Sequence, residues 1–156
     1  MRTLGKLVVW MLPLTIAAWA QNSSSAKPGD DCSGMYSFLK DGEFLQITVE
    51  DQGRVTGFIS RYGDSESDQG AFLNQFFKEG RLNGDRLTFT TTTVHGVWYE
   101  FKGLVARGQA KNAGDEGYYV LKGILAEHRP DSQKSKEHEV ELKSFPQDRA
   151  PVPPKD

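Results

Sequence analysis

Asp64, Glu66 and Asp68, in the stretch DSESDQG, stand at the alternate spacing with which a calcium loop offers its first oxygen ligands. Such a loop also needs glycine at its sixth position and an acidic residue at its twelfth, where this chain has Gln69 and Gln75. The expectation is a solvated acidic loop tip, with a weak calcium site as the competing reading and no metal site assigned. His95, His128 and His138 form no H-x-H or H-E-x-x-H pattern and no Cys/His cluster, so zinc has no support. A G-x-S-x-G elbow and a phosphate-binding glycine loop are both missing from the sequence. Carboxylates are numerous, but an acid and base pair depends on separations that a sequence does not give. The reading is a non-catalytic protein without a cofactor. Thr91, Tyr99 and Tyr119 have the alternation phase to line a cavity, and the competing role for both tyrosines is packing, with hydroxyls bonded at a rim.

The elements that must position these groups are strands. From Ser33 onward, short runs rich in Val, Ile, Thr, Phe and Tyr each end in Gly, Asp or Asn. They cover 34–40, 43–50, 54–62, 72–79, 86–94, 97–107 and 118–128, and no stretch of similar length has helical periodicity. Leu45, Ile47 and Val49 share one side of their run. Val97, Tyr99 and Phe101 oppose Trp98, Glu100 and Lys102, and Tyr119, Leu121, Gly123 and Leu125 oppose Lys122. The first-named sets are expected to point inward. In LTFTTTTV the threonines are read as strand formers with a half-polar face.

Tight turns join these runs: Asp41-Gly42 as a two-residue hairpin, Asp51-Gln52-Gly53 with glycine left-handed, Asn83-Gly84 as type I′, and His95-Gly96. Such turns make antiparallel neighbours. The stretch GRVTG at 53–57 returns as GRLNG at 80–84, and each copy supplies one turn glycine and one strand glycine. Glycine within a strand marks a bend or a close backbone approach, and Gly103 and Gly123 fit the same device. An eighth strand is expected in HEVELKSF, where His138, Val140, Leu142 and Ser144 alternate with Glu139, Glu141 and Lys143. The fold class is all-β: an antiparallel up-and-down meander of about eight strands closing into a small barrel, with a two-sheet sandwich as competitor. Eight strands either fill a barrel with side chains or just hold one small ligand.

The chain divides into 1–20, a signal peptide; 21–32, a flexible leader; 33–145, the barrel; and 146–156, a proline-rich tail. Arg2 and Lys6 precede an apolar run from Leu7 to Ala18 that closes in Ala18-Trp19-Ala20, a pattern for export and cleavage before Gln21. The run is too short for an anchor and is interrupted by Pro13. The protein is therefore expected to be secreted or periplasmic, with no membrane attachment after cleavage. Once Arg2 and Lys6 are taken from the 19 basic residues, 17 remain against 21 acidic ones. With that balance and no Lys/Arg cluster, nucleic acid is excluded as a partner. Cys32 is the one cysteine; it forms no internal disulfide, and is either a semi-buried thiol or the link of a disulfide dimer.

The opening strand carries Gly34-Met35-Tyr36, a glycine followed two residues later by an aromatic. With the exported eight-stranded meander, this resembles the lipocalin and avidin group of small up-and-down barrels. The resemblance spans about residues 33–145 and extends to the strand around His138, which is similar to the closing strand of an avidin-like barrel. It implies the architecture. Tyr36 stands where those families usually carry tryptophan, and joins Thr91, Tyr99 and Tyr119 as a ligand-lining candidate. Avidin-type biotin sites are walled by several tryptophans, whereas Trp98 is alone past the signal segment and faces outward on this register. The biotin site is accordingly not carried over.

Three functions compete: a binding module for a small, partly apolar ligand; a solid-core interaction or structural domain meeting a protein partner or a further copy of itself around Trp98; and a barrel isomerase or cyclase. Interior volume separates the first two, a ligand cavity requiring about 300 Å3 or more.

Overall fold

Runs in which branched and aromatic residues alternate with polar ones, broken by glycine, give eight strands in the computed structural model, which describes residues 31–130 and 132–147. The expected signal peptide, the leader up to residue 30 and the tail beyond residue 147 lie outside the described residues. The strands are β1 Gly34–Ser37, β2 Phe44–Val49, β3 Val55–Tyr62, β4 Phe72–Asn83, β5 Arg86–Thr91, β6 Trp98–Arg107, β7 Tyr119–His128 and β8 Lys136–Lys143, with one 3-10 turn at Asp51–Gly53. Each strand pairs antiparallel with its neighbour in sequence, in the order β1 to β8. The all-β meander is thus the observed fold, and the described residues contain no α-helix.

The sheet curls until its ends meet. Tyr36 bridges Ser144, Phe145 N–H donates to Met35 O at 2.7 Å, and Lys143 N–H donates to Ser37 Oγ at 3.0 Å. The barrel is nearly closed, and the contact uses the end of β8 rather than its length. On β4 the register shifts between Phe77 and Glu79, a bulge of the kind that bends a strand. Gly57 and Gly80 flank that bulge: a Cβ on Gly57 would lie 2.0 Å from Gln46 O, and one on Gly80 2.3 Å from Val55 O. The strand glycines of the repeated pentapeptide are there because neighbouring backbone leaves no room for a side chain.

Two turns differ from the sequence reading. The β1–β2 connection is a six-residue loop between the paired Ser37 and Phe44, not a two-residue hairpin, because Phe38 leaves the ladder to pack in the core. Asn83 pairs with Arg86, so the β4–β5 turn centres on Gly84 and Asp85. Gly84 alone of that pair has positive φ, which excludes type I′. That type forms instead at His95-Gly96, where both residues have positive φ, at 49° and 79°.

Inward positions fill the barrel. Leu45, Ile47, Ile59, Leu87, Phe101, Leu121 and Leu125 have no exposed surface, and each contributes roughly 1.5 to 3 kcal/mol on full burial. Phe77, Phe89 and Phe101 stack in series at centroid distances of 4.3 and 5.2 Å. Cys32 is buried in the same cluster.

Candidate functional site

Alternation along β3 sends Val55, Gly57, Ile59 and then Arg61 to the interior, so the inward phase ends on a charge at the barrel end formed by loops 38–43, 63–71 and 92–97. Arg61 is only 3% exposed. Its Nε donates to Gln75 Oε1 at 2.6 Å, and its Nη1 donates to Tyr62 O at 3.1 Å and reaches Asp64 Oδ2 at 3.4 Å. Gln75, fully buried on β4, donates in turn to Val97 O at 2.8 Å and Thr92 O at 3.2 Å. One amide thereby ties β4 to both arms of the β5–β6 hairpin. The guanidinium lies 5.9 Å from the Tyr99 ring centroid, and Phe38 meets the same ring edge-on at 5.5 Å.

Loop 63–71 brings its carboxylates to this end. Asp64 Oδ2 lies 2.6 Å from Arg129 Nη2, and Lys40 Nζ is 3.7 Å from Oδ1. Partial burial works against ionisation of Asp64, but the Arg129 hydrogen bond and the charges of Arg61, Arg129 and Lys40 outweigh it and hold the carboxyl below its usual range. Asp68 accepts from Ser65 at 2.7 Å and Ser67 at 3.0 Å and lies 2.5 Å from His95 Nδ1. Hydrogen bonds from Ser65 and His95 lower its pKa in the same sense. Beneath the loop, Arg61, Asp64, Ser65, Asp68, His95, Val97 and Arg129 enclose about 100 Å3. Arg129 Nε also donates to Glu127 Oε1 at 2.6 Å.

The four ligand-lining candidates separate. Tyr99 and Thr91 sit together at this polar end, with Tyr99 N–H donating to Thr91 Oγ1 at 2.9 Å. Tyr36 lies deeper and donates its hydroxyl to Cys32 O at 2.6 Å; burial, then the nearness of Cys32 and Tyr119, pushes its phenol well above the ordinary range. Burial likewise raises the Tyr99 phenol. Tyr119 lies toward the other end, edge-on to Tyr118 at 4.9 Å. The acidic trio does not converge either. Asp64 faces Arg61 and Arg129, Asp68 faces His95, and Glu66 is exposed at the tip. Among the described residues no three His, Cys, Asp or Glu side chains come together as metal ligands.

Two larger clefts are present. One, about 690 Å3, spans β3 to β6 and is lined both by outward residues, among them Lys78, Thr88 and Lys102, and by the core residues Val55, Phe77, Phe89 and Phe101; the other, about 510 Å3, lies at the seam between Met35, Gln46, Phe145 and Pro146. Sequence reasoning missed Arg61 and Gln75. The signal was present: each is polar at a position whose alternation phase is the core.

No family model matches the sequence, and no curated protein sequence matches it. Solved structures are similar in fold. Apo shwanavidin in its P21 form is 15% identical, with 76% of this chain and 100% of that chain covered at a TM-score of 0.50. Its P1 form is 14% identical, with 74% and 97% covered at 0.48. A rhizavidin–biotin complex is 16% identical, with 81% and 100% covered at 0.47. The chain therefore shares with shwanavidin the eight-stranded up-and-down barrel, and at this identity the likeness is one of fold.

Proposed function

We propose that the protein is an exported, non-catalytic barrel that binds a small, partly apolar ligand carrying a carboxylate, held between Arg61 and Arg129. The observation that carries this reading is the position of Asp64, whose Oδ2 lies 2.6 Å from Arg129 Nη2 and 3.4 Å from Arg61 Nη1. One loop carboxylate serves two guanidiniums, that of the buried Arg61 on β3 and that of Arg129 just past β7, and a ligand carboxylate offers the same acceptor geometry. Arg61 invites such a partner, because a buried cation is costly unless paired and its shortest bond is to the neutral Gln75. Tyr99, Val97 and Phe38 supply the apolar contact.

With loop 63–71 in place the space is about 100 Å3, below the 300 Å3 or so of an ordinary ligand site. Binding in this reading displaces Asp64 and lifts the loop. Export rests on Arg2, Lys6 and the apolar run to Ala20.

Asp64→Asn removes the resident carboxylate and leaves both guanidiniums. The variant is expected to bind hexanoate about tenfold or more tightly than the wild type, measured by calorimetry. Arg61→Met in the same background should abolish the gain. An Asp64→Asn protein no more responsive than wild type, together with an apoprotein mass alone in native mass spectrometry of protein from its source, would sink the reading.

A second reading rests on the packed interior. With Phe101, Leu121 and Leu125 wholly buried, a filled barrel acts through its outside, as an interaction domain.

A further inference from the structure

The outer face of β2, β3 and β4 carries a run of aromatic rings. Phe44 meets Phe58 at 5.9 Å, Phe58 meets Phe76 at 5.6 Å, and Tyr62 meets Phe72 at 4.5 Å. These are neighbours across paired strands, since Phe58 pairs with Phe76 and Tyr62 with Phe72. Packing against each other does not hide them: Phe76 is 59% exposed and Phe72 49%. Scattered apolar side chains on a surface need no explanation, but a contiguous patch marks something that covers it.

Charge decides what covers this one. Between the rings the outward positions are Gln46, Ser60 and Asn74, so the centre of the face carries no charge. The opposite wall differs: Glu100 pairs with Lys102, Lys122 with Glu141, and Glu137 and Glu139 stand exposed on β8. In a two-fold contact a patch meets itself, and a charge near the axis meets its own copy. Like charges so placed cost several kcal/mol. The aromatic face is free of that penalty, and the β6–β8 wall is not.

We infer that two copies of this chain pair through the outer face of β2–β4, with Phe58 and Phe76 at the centre. Three strands about 4.8 Å apart, each presenting a side chain every 7 Å or so, give a patch on the order of 300 Å2 in projection. That is small beside the roughly 800 Å2 per partner of a standard interface. Met35, 37% exposed beside its pair Gln46, and the seam cleft at Phe145 and Pro146 extend the patch on the β1 side. The pairing therefore belongs to the weaker, reversible class. This inference does not rest on the ligand reading: Tyr62 is common to both regions, but its carbonyl meets Arg61 whereas its ring lies on the aromatic face.

The test is sedimentation equilibrium on protein purified from a secreting host, over about 1 to 100 µM, where interfaces of modest size dissociate. The wild type is expected to approach twice the monomer mass within that range. Phe76→Lys should stay monomeric throughout. Asn74→Lys, at an exposed position between the two ring pairs, places like charges across the axis and should raise the dissociation constant about tenfold or more. Ile124→Lys, at an exposed apolar position on β7, should dimerise as the wild type does. A wild type monomeric at every concentration overturns the inference and leaves the face to a different partner. So does a dimer that survives both Phe76→Lys and Asn74→Lys, or one that Ile124→Lys dissociates.

Discussion

The Asp68 carboxylate lies 2.5 Å from Nδ1 of His95, joining the loop before β4 to the turn before β6 across the polar end of the barrel. Asp64 makes the corresponding tie to Arg129, at 2.6 Å. Two carboxylates of one short loop thus fasten it to two different hairpins.

Those fastenings should give the protein a defined acid limit. Both carboxyls have folded-state pKa values below their ordinary ones, so the folded state binds fewer protons than the unfolded chain in acid. Their stabilisation is complete above the unfolded value of about 4 and is lost as pH falls through the lower folded values. Urea midpoints should therefore drop below about pH 4 in the wild type. In Asp68→Asn the midpoint at pH 6 should be lower and the drop in acid shallower. Parallel acid limbs for the two proteins would show that Asp68 is not the group involved.

Gly123→Ala should be among the most damaging single-methyl changes in the chain. Gly103 and Gly123 pair directly, and a Cβ on Gly123 would stand 2.3 Å from Lys102 O and 2.5 Å from Gly103 Cα. Both obstacles are backbone, so relief requires strands β6 and β7 to part. We expect a loss on the order of 3 kcal/mol, at the upper end for overpacking. Gly84→Ala, in open space with φ of 64°, should lose about 1 kcal/mol through backbone strain alone. Chemical denaturation ranks the two, and an equal loss would refute the close-approach account.

Ending the chain after Arg129 removes β8, with the buried Leu142, and uncovers Leu121 and Leu125. Leu142 alone represents roughly 1.5 to 3 kcal/mol of a total of about 5 to 15. The shortened protein is expected to unfold or to associate through the freed edge of β7. Ending it after Gln147 should cost little, whereas ending it after Phe145 removes the bonds Gln147 makes to Gly114 O at 2.9 Å and Ser33 O at 3.2 Å. Thermal melting of the three lengths checks the order, and a full-length melting point for the shortest would remove β8 from the barrel.

Much of the fold was legible because a strand writes its buried face at every second residue. Leu45 and Ile47, Val97, Tyr99 and Phe101, and Leu121 and Leu125 all point inward as their alternation requires. Turn positions were less legible. Asn83-Gly84 has the composition of a hairpin centre, but the inward pair Leu82 and Leu87 fixes the register and moves the turn by one residue. The polar end was hardest to read, since Arg61 on β3, Asp64 and Asp68 in loop 63–71, His95 in the turn before β6 and Arg129 just past β7 share no common spacing. The alternate acids of DSESDQG suggested a cation, whereas their carboxylates find guanidinium and imidazole partners from elsewhere in the chain.

Every strand pairing in the barrel but one joins neighbours in the chain; the exception is the seam, where Lys143 reaches Ser37 from 106 residues away. The molecule is in this sense a ribbon of hairpins that becomes a ring through a single long-range clasp. Assembly can proceed hairpin by hairpin, and the entropy of bringing distant ends together is met once, when the ribbon has already curled. The clasp should be the last contact made and the first to open. Joining the two ends with a short linker and cutting the ring at the exposed Gly84 turn would turn the seam into a local pairing while leaving each inward residue where it is.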